Sequence, residues 1–318
     1  MLRPHAQPKH ARRTAWSARR IAGAIALVAA IALPWTWFVV RDASRSMDAV
    51  SVGLPAAALV VTIGGLAAAA VWSRPFAAAV ALSFLVVGVV AIVEPRTPER
   101  AGPPLRSFRL VAANVYEGNR RPRDAARAIA AAEPQVVVAV ETPDATVRAL
   151  VAEFHSYHHE GRGDLGVYAA WPVRSLGAVP GVPAANAIRV EVLRPDAPFV
   201  IYAIHLTNPL VATSFDEQLE VVEAVIASAG REDLPVVLAG DFNVGDRSLA
   251  YRRLHETFRD AMRSTWASST YDHGAWIALQ LRIDHVFVSR DLCSAAGRVL
   301  TVPGSDHDAV RVQLGACP

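Results

Sequence analysis

Three long stretches without a charged residue constrain the folding of this chain more than any other feature. They cover positions 21–40, about 49–72 and 76–93. A run of about 20 apolar residues is long enough to cross a bilayer as a helix. Trp35 and Trp37 lie near the end of the first run, where aromatic side chains favour the membrane–water interface. The pattern predicts three transmembrane helices, the last two joined by a tight turn at 73–75.

Two other interpretations apply to these runs. The first run could be a cleaved signal peptide, but it is long for a signal-peptide core and two more apolar runs follow it. The later runs could be buried core helices, but their length is more typical of a membrane span. We therefore expect a membrane region at 21–93.

Basic residues are concentrated before the first run, at Arg3, Lys9, Arg12, Arg13, Arg19 and Arg20, with no acid among them. The positive-inside rule predicts that this basic tail, residues 1–20, is cytoplasmic. Three spans then place the rest of the chain outside the cytoplasm. Arg96, Arg100, Arg106 and Arg109 oppose this orientation, although long domains can be translocated despite such charges.

The charge balance differs between the two parts of the chain. The first 100 residues hold 11 Lys and Arg against 4 Asp and Glu, whereas the rest holds 21 against 25. The acidic balance of the second part gives no support for a basic nucleic-acid-binding face. The two cysteines, Cys293 and Cys317, lack C-x-x-C spacing, which disfavours a thiolate zinc site and leaves a disulfide open.

The proline-rich stretch EPRTPERAGPP at 94–104 predicts a linker to a soluble domain at 105–318. Within this domain, apolar runs and alternating patterns mark the strands, and amphipathic patterns mark the helices. Strands are predicted at 108–116, 134–141, 166–173, 186–194, 198–206, 235–243, 282–289 and 305–314, and helices at 122–133 and 214–230. The mixture predicts an α/β or α+β fold around a large sheet.

Several of these strands end in a polar residue of a catalytic type. The endings are Asn114, Glu141, His205, Asp241 with Asn243, and Asp306 with His307, and Asp284 lies near the start of its strand. Each has an ordinary explanation alone: Asp241 and Asn243 are common turn residues, Asn114 suits a strand-end cap, and His205 suits a hydrogen-bonded core histidine. Their repetition favours one polar site at one edge of the sheets.

The order of these motifs resembles the endonuclease/exonuclease/phosphatase superfamily, which includes DNase I-like nucleases, neutral sphingomyelinases and inositol-polyphosphate 5-phosphatases. The resemblance covers residues 106–316 and rests on AANVY, EPQVVVAVE, AIHLTNP, AGDFN, STW, RIDHVFVS and GSDHDAV. It implies a four-layered α/β sandwich of two packed mixed sheets flanked by helices. It also implies divalent-metal-dependent hydrolysis of phosphoesters.

The resemblance assigns roles by position. Glu141 resembles the main Mg²⁺ ligand, with Asn114 beside it and Asp306 contributing, and Mn²⁺ is an alternative metal. These oxygen donors suit Mg²⁺, which keeps several waters and needs few carboxylates. Asp241 resembles the residue that positions the attacking water or a second metal.

The remaining roles concern the phosphate. Asn243 and His205 resemble groups that contact phosphate oxygens or, for His205, act as an acid. Asp284 and His307 resemble a carboxylate–histidine pair, in which the carboxylate fixes the tautomer of the imidazole. No cysteine or serine nucleophile motif is present, which fits direct attack by water.

Three positions depart from the family pattern or lie beside it. Gln135 stands where the family often has Asp, and Asp308 adds an acid near the site that could weaken polyanion binding. The loop EGNRRPRD at 117–124 carries the basic cluster nearest the site. Arg120 is the candidate substrate contact in it, and a solvated face is the equal alternative.

The resulting functional hypothesis is a membrane-tethered, Mg²⁺-dependent phosphoesterase acting on a nucleic acid or a phospholipid headgroup at the external membrane face. The acidic balance weighs against tight duplex binding, and the tether favours a lipid. The alternative is a catalytically silent binding or scaffold protein on the same fold, which the full set of expected site residues disfavours. The sequence indicates no protein partner.

Overall fold

A computed structural model describes residues 18–41, 46–72, 75–99, 102–209, 214–271 and 281–318. Its α-helices are α1 (Ala18–Ala32), α2 (Thr36–Val40), α3 (Ser46–Trp72), α4 (Pro75–Val93), α5 (Pro122–Ala130), α6 (Asp144–Glu153), α7 (Phe215–Ala229) and α8 (Leu249–Thr257). Most of the predicted basic tail, and Ser73 and Arg74 of the predicted turn, lie outside the described residues.

Twelve strands are assigned in the described ranges. They are β1 (Leu105–Asn114), β2 (Val136–Val140), β3 (His158–Arg162), β4 (Leu165–Ala169), β5 (Val173–Ala178), β6 (Ala187–Val192), β7 (Phe199–His205), β8 (Val236–Asp241), β9 (Arg259–Asp260), β10 (Asp284–Val288), β11 (Leu292–Thr301) and β12 (Asp308–Ala316). The first sheet has the order β11-β12-β1-β2-β4-β3, and the second has the order β5-β6-β7-β8-β10-β9. Each sheet contains one parallel pair, β1 with β2 and β7 with β8, so both sheets are mixed.

The two sheets pack face to face, and helices cover both outer faces. Along β2, Val136, Val138 and Val140 belong to the core between the sheets, whereas Val137 and Ala139 face a second core that α5 and α6 close. A strand buried on both faces explains the unbroken apolar run that predicted it. Helices α7 and α8 close a third core on the other sheet. The predicted four-layered α/β sandwich is confirmed.

The N-terminal part contains three helical segments that are long and apolar enough to cross a membrane, at Arg20–Val40, Val50–Val71 and Pro75–Arg96. The first is interrupted by a 3₁₀ turn at Leu33–Trp35, where proline fits the start of a new helical turn. Arg41 and Glu94 form an ion pair of 3.1 Å, which brings the end of the first segment and the end of the third together.

This end of the helical region is packed directly against the soluble domain. The buried carboxylate of Asp48 in α3 accepts a hydrogen bond from the backbone of Leu249, at 2.7 Å. Arg247 Nε donates to the carbonyl oxygen of Ser51, also in α3, at 3.0 Å. The predicted linker begins as a 3₁₀ turn, Glu94–Arg96, and its Arg96 is buried against Asp246 at 3.0 Å.

A group of buried charges, which we call the arginine cluster, joins this junction to the domain. Its centre is the fully buried Arg282, which pairs with Asp260 at 2.6 Å and with Asp246 at 3.4 Å. Arg96 and Arg247 are the other members. Burial alone would raise the pKa of Asp246 and Asp260, but Arg282 outweighs it and lowers both. A buried charge that is paired in this way remains ionised.

Cys293 in β11 and Cys317 after β12 form a disulfide. The sequence left this pairing open, and the antiparallel register of β11 and β12 explains it because Cys293 lies opposite Gly315.

Candidate active site

Four strand ends converge on one cluster of polar side chains. Asn114 ends β1 and Glu141 follows β2, while His205 ends β7 and Asp241 ends β8. The amide Nδ2 of Asn114 donates to Glu141 Oε1 at 2.7 Å and to Asp241 Oδ2 at 3.0 Å. The second bond crosses from one sheet to the other. The carboxyl ends of the parallel pairs in the two sheets therefore build a shared site.

The backbone is bent where it delivers these groups. Glu141 and Asn243 have positive φ angles of 53° and 48°, which non-glycine residues rarely adopt. Gly240 has a φ of 135°, and a Cβ there would overlap the carbonyl oxygen of Ile204 on the neighbouring strand. Glycine is therefore required in the GDFN turn, and strain at Glu141 and Asn243 is typical of functional positions.

His307 and Asp284 form a buried pair. His307 Nδ1 lies 2.8 Å from Asp284 Oδ2, and its Nε2 lies 3.8 Å from Asp241 Oδ2. Burial alone would lower the pKa of His307, but the charge and hydrogen bond of Asp284 raise it to about 9. The carboxylate holds the proton on Nδ1 and aims Nε2 at Asp241.

Ser305 positions this histidine. Its hydroxyl donates to the carbonyl oxygen of Asn114 at 2.8 Å and accepts from the backbone of His307 at 3.0 Å. The serine of the SDH motif therefore connects the loop before β12 to the end of β1.

His205 is held between two carboxylates. Its Nδ1 lies 2.9 Å from Asp164 Oδ2, and its Nε2 lies 3.4 Å from Glu141 Oε1. Burial alone would lower the pKa of His205, but hydrogen bonds to Asp164 and Glu141 raise it to about 10. The imidazole is therefore cationic near neutral pH and neutralises part of the acidic charge.

The acids of the site differ in protonation. Burial raises the pKa of Asp241 and so does the charge of Asp284, giving about 7 despite the opposing effect of His307 and His205. Burial also raises the pKa of Glu141, but hydrogen bonds from His205, Asn114 and the backbone of Glu117 lower it to about 2. Glu141 is therefore ionised, whereas Asp241 titrates near neutral pH. We call the buried group of Asp241, Asp284 and His307 the catalytic cluster.

Two sets of side chains have the spacing of metal ligands. Glu141, His205 and Asp241 form one set and the catalytic cluster forms the other, with ligand atoms within 4.8 Å in each. Carboxylate oxygens from Glu141 and Asp241 fit a hard divalent cation such as Mg²⁺, and neither set contains a soft thiolate. Asn114 supports these carboxylates through its Nδ2, while its Oδ1 accepts from the backbone of Tyr116 at 2.9 Å. Both histidines are already engaged through Nδ1, His205 by Asp164 and His307 by Asp284, so the carboxylates are the better candidates for metal ligands.

The other predicted residues are placed differently. Asn243 donates its backbone N–H to Asp241 Oδ1 at 2.8 Å, and its Nδ2 donates to the carbonyl oxygen of Leu206 at 2.8 Å and to Asp241 Oδ2 at 3.3 Å. Its amide thus holds Asp241 in place. Asp306 is half-buried and lines the cavity. Arg120 is exposed, and it is not among the described residues that line the cavity.

The cluster opens into a cavity of about 470 Å³. Glu141, His205, Asp241 and His307 line it together with residues that the sequence did not single out for this site: Asp164, Asn186, Thr207, Arg247 and Tyr271. Asp164 was missed because it precedes an apolar strand instead of ending one. No strand was predicted in the polar stretch YHHEGRGD that ends at Asp164. The structure forms β3 from part of that stretch.

Comparisons with known proteins agree with this architecture. The sequence profile of the Endonuclease/Exonuclease/phosphatase family matches residues 111–307. The match to this family supports phosphoesterase activity. No curated protein matches the chain.

Solved structures show the same fold. An endonuclease/exonuclease/phosphatase from Beutenbergia cavernae is similar with a TM-score of 0.53 at 22% identity, covering 67% of this chain and 72% of that one. A protein of this kind from Bacteroides vulgatus gives a TM-score of 0.55 at 16% identity, covering 66% and 99%. A humanized D. rerio TDP2 gives 0.52 at 17% identity, also covering 66% and 99%. At these identities the similarity establishes the fold.

Proposed function

The chain belongs to the endonuclease/exonuclease/phosphatase family, and on that basis we propose that it is a membrane-anchored, divalent-metal-dependent phosphoesterase that cleaves by attack of water. The observation that carries this proposal is the bond from Asn114 to both Glu141 and Asp241, because it joins the ends of two sheets into one acidic site. The buried pair of His307 and Asp284 faces that site.

The proposed metal ligands lie on the β1–β2 side of the site. Glu141, with Asn114 and Asp306 beside it, would hold the cation. When bound, a divalent cation neutralises charge on the phosphoryl group and stabilises the leaving oxygen. A cation would also favour the ionised form of Asp241, because opposite charge lowers the pKa of a carboxylate.

Asp241 is the group that orients the attacking water. Asn243 and Asn114 fix both oxygens of its carboxylate, which holds it in place to accept a hydrogen bond from the water near neutral pH. His205 and His307 are cationic at that pH and can donate hydrogen bonds to phosphoryl oxygens as negative charge develops. Asn243 acts through Asp241 in this scheme.

The proposed topology places the catalytic domain outside the cytoplasm. The domain packs against the end of the helical region that contains Arg41 and Asp48. This end is opposite the one at which the first apolar segment follows the basic tail. A disulfide between Cys293 and Cys317 supports an oxidising compartment. A reporter fused after residue 100 tests this topology. Activity of a reporter that works only in the cytoplasm would show that the catalytic domain lies on the cytoplasmic side.

The function is tested with the purified full chain and a soluble diester, bis-p-nitrophenyl phosphate, with Mg²⁺ or Mn²⁺. We expect hydrolysis that EDTA abolishes and that added metal restores. His307→Ala should reduce the rate about 10²–10³-fold, because a hydrogen bond that stabilises the charge developing on the phosphoryl oxygens is lost. Unchanged activity in EDTA contradicts the metal dependence. Complete inactivity with this diester, plasmid DNA, RNA and phospholipids would favour the silent scaffold alternative.

A further inference from the structure

A membrane helix forms one wall of the candidate active site. Ser51 and Val52 of α3 line the same cavity as Glu141, His205 and Asp241. The part of α3 that is apolar enough to span a membrane begins at Val50. The cavity therefore lies against the helix at the level where the span starts.

This wall is held in place by buried polar contacts. Asp48 accepts from the backbone of Leu249 at 2.7 Å, and Arg247 donates to the carbonyl oxygen of Ser51 at 3.0 Å. Arg96, which follows the third span, is buried against Asp246 at 3.0 Å. Separation of α3 from the domain would break the bonds of Asp48 with Leu249 and of Arg247 with Ser51, and the loss of a buried hydrogen bond to a charged group is costly. The helix is thus a built part of the cavity.

Away from the catalytic groups, the cavity lining is mixed: polar residues such as Asn186, Thr207 and Asn208 lie beside an apolar part. Its apolar lining comes from Val52, Leu206, Pro209, Phe215, Leu281 and Ile283. Arg247 is the one Lys or Arg among the described residues that line it, and that side chain is already bonded to Ser51 and Asp246. A nucleic acid requires cations along its phosphates. This lining instead suits a single phosphoester attached to an apolar group.

We propose that the substrate is a lipid phosphoester, presented to the catalytic groups from the membrane surface past the first turns of α3. This inference rests on the proposed function and specifies its substrate. Water forms a new P–O bond, the ester P–O bond breaks, and the leaving oxygen takes up a proton. The products are a phosphorylated fragment and an alcohol, one of which stays in the bilayer.

The test uses the full chain in phosphatidylcholine nanodiscs that contain phosphatidylglycerol, phosphatidylinositol or sphingomyelin. Mass spectrometry measures lipid hydrolysis, and bis-p-nitrophenyl phosphate measures the soluble reaction in the same discs. We expect hydrolysis of at least one bilayer lipid. Val52→Trp should lower the ratio of the lipid rate to the soluble rate by about tenfold or more, because bulk on α3 obstructs the apolar part of the site.

Val60→Trp is the matched control, since Val60 is an exposed residue of the same helix and is not among the described residues that line the cavity. It should leave the ratio unchanged. Phe215→Ala is a second variant, on the domain side of the cavity, and it should also lower the ratio of the lipid rate to the soluble rate. It keeps the test decisive if Val52→Trp disturbs folding.

The outcomes separate the two proposals. Hydrolysis of the soluble diester without hydrolysis of any bilayer lipid overturns the lipid inference and leaves the phosphoesterase intact. Lipid hydrolysis with an equal ratio in Val52→Trp, Phe215→Ala and Val60→Trp overturns the role of α3. Inactivity towards all substrates overturns the proposed function itself.

Discussion

Strand β8 and the turn after it contribute to two buried ionic clusters with opposite balances of charge. Asp241 belongs to the catalytic cluster, where burial and a second carboxylate, Asp284, raise its pKa to about 7. Asp246, five positions later, belongs to the arginine cluster, where burial would also raise its pKa but Arg282 lowers it. Both aspartates are almost fully buried. The difference between their pKa values is therefore decided by the neighbouring charges.

The difference indicates what each cluster does. The arginine cluster pairs its acids with guanidinium groups, so it is satisfied without any ligand and can serve as structural support. The catalytic cluster keeps two carboxylates together against one imidazole, and Asp284 Oδ1 has no hydrogen-bond partner among the described residues. Such an unbalanced group is typical of functional sites.

The largest effect is expected from Asp241→Asn. The variant loses the carboxylate that orients water, so kcat for bis-p-nitrophenyl phosphate should fall about 10²–10⁴-fold. Its melting temperature without metal should not fall at neutral pH, because a like charge is removed beside Asp284. A clear loss of stability would show that Asp241 is mainly structural.

Asp260→Asn makes the same chemical change in the arginine cluster and should have the opposite result. It leaves Arg282 with a weaker partner in a fully buried position, so the free energy of unfolding should fall by about 3–5 kcal/mol. Denaturant unfolding measures this change. Activity per folded molecule should be much less affected than in Asp241→Asn, and equal losses would remove the distinction between the clusters.

His285 lies beside the arginine cluster, with its Nδ1 3.1 Å from Arg282 Nη1, and should create a dependence of stability on pH. Burial lowers its pKa to about 4, and Arg282 adds to this effect. Neutral His285 contributes about 3 kcal/mol to the free energy of unfolding. This contribution is complete above about pH 6.5, the pKa of histidine in the unfolded chain, and is lost as the pH falls towards 4. His285→Gln should weaken the dependence of the free energy of unfolding on pH between pH 7 and pH 4. A profile that keeps its full slope would assign that slope to other groups.

Ser305→Ala should have the smallest effect. It removes the hydroxyl that connects the backbone of His307 to Asn114, a loss of about 1 kcal/mol that corresponds to a several-fold decrease in kcat. The pH dependence of kcat should shift with it if Ser305 positions the histidine. A decrease in stability alone would assign Ser305 a structural role.

Much of the fold was predictable because burial leaves a local pattern. The apolar run at 134–141 and the acidic start of the helix at 214–230 correspond to β2 and α7. Elements with weaker patterns were missed. Strand β3 is an edge strand with mostly exposed polar residues, so it lacks the alternation on which the prediction depends. Helix α8 is only nine residues long, and its helical pattern of buried Ala250, Tyr251 and Leu254 was not recognised in so short a segment.

Asn114, Glu141, His205 and Asp241 could be located from the sequence because each ends or follows an apolar strand, and the ends of parallel strands lie at one edge of a sheet. Asp306 with His307 was predicted as a further strand ending, but both residues precede β12, and Asp284 begins β10 as expected. The roles of Asp284 and His307 came from the order of the motifs. The carboxylate of Asp164 could not be located, since its partner His205 lies 41 positions away and in the other sheet. The exposed position of Arg120 likewise depends on how the loop after β1 turns.

The sequence alone determined the three apolar helices, the layered α/β architecture and most of the acids and histidines of the site, because these depend on local hydrophobic patterns and strand ends. The tertiary structure decided the partners: which carboxylate holds each histidine, which aspartate is neutralised by arginine, and that α3 lines the cavity. Those contacts join segments far apart in the chain, and their energies depend on distance and burial, which no local pattern encodes.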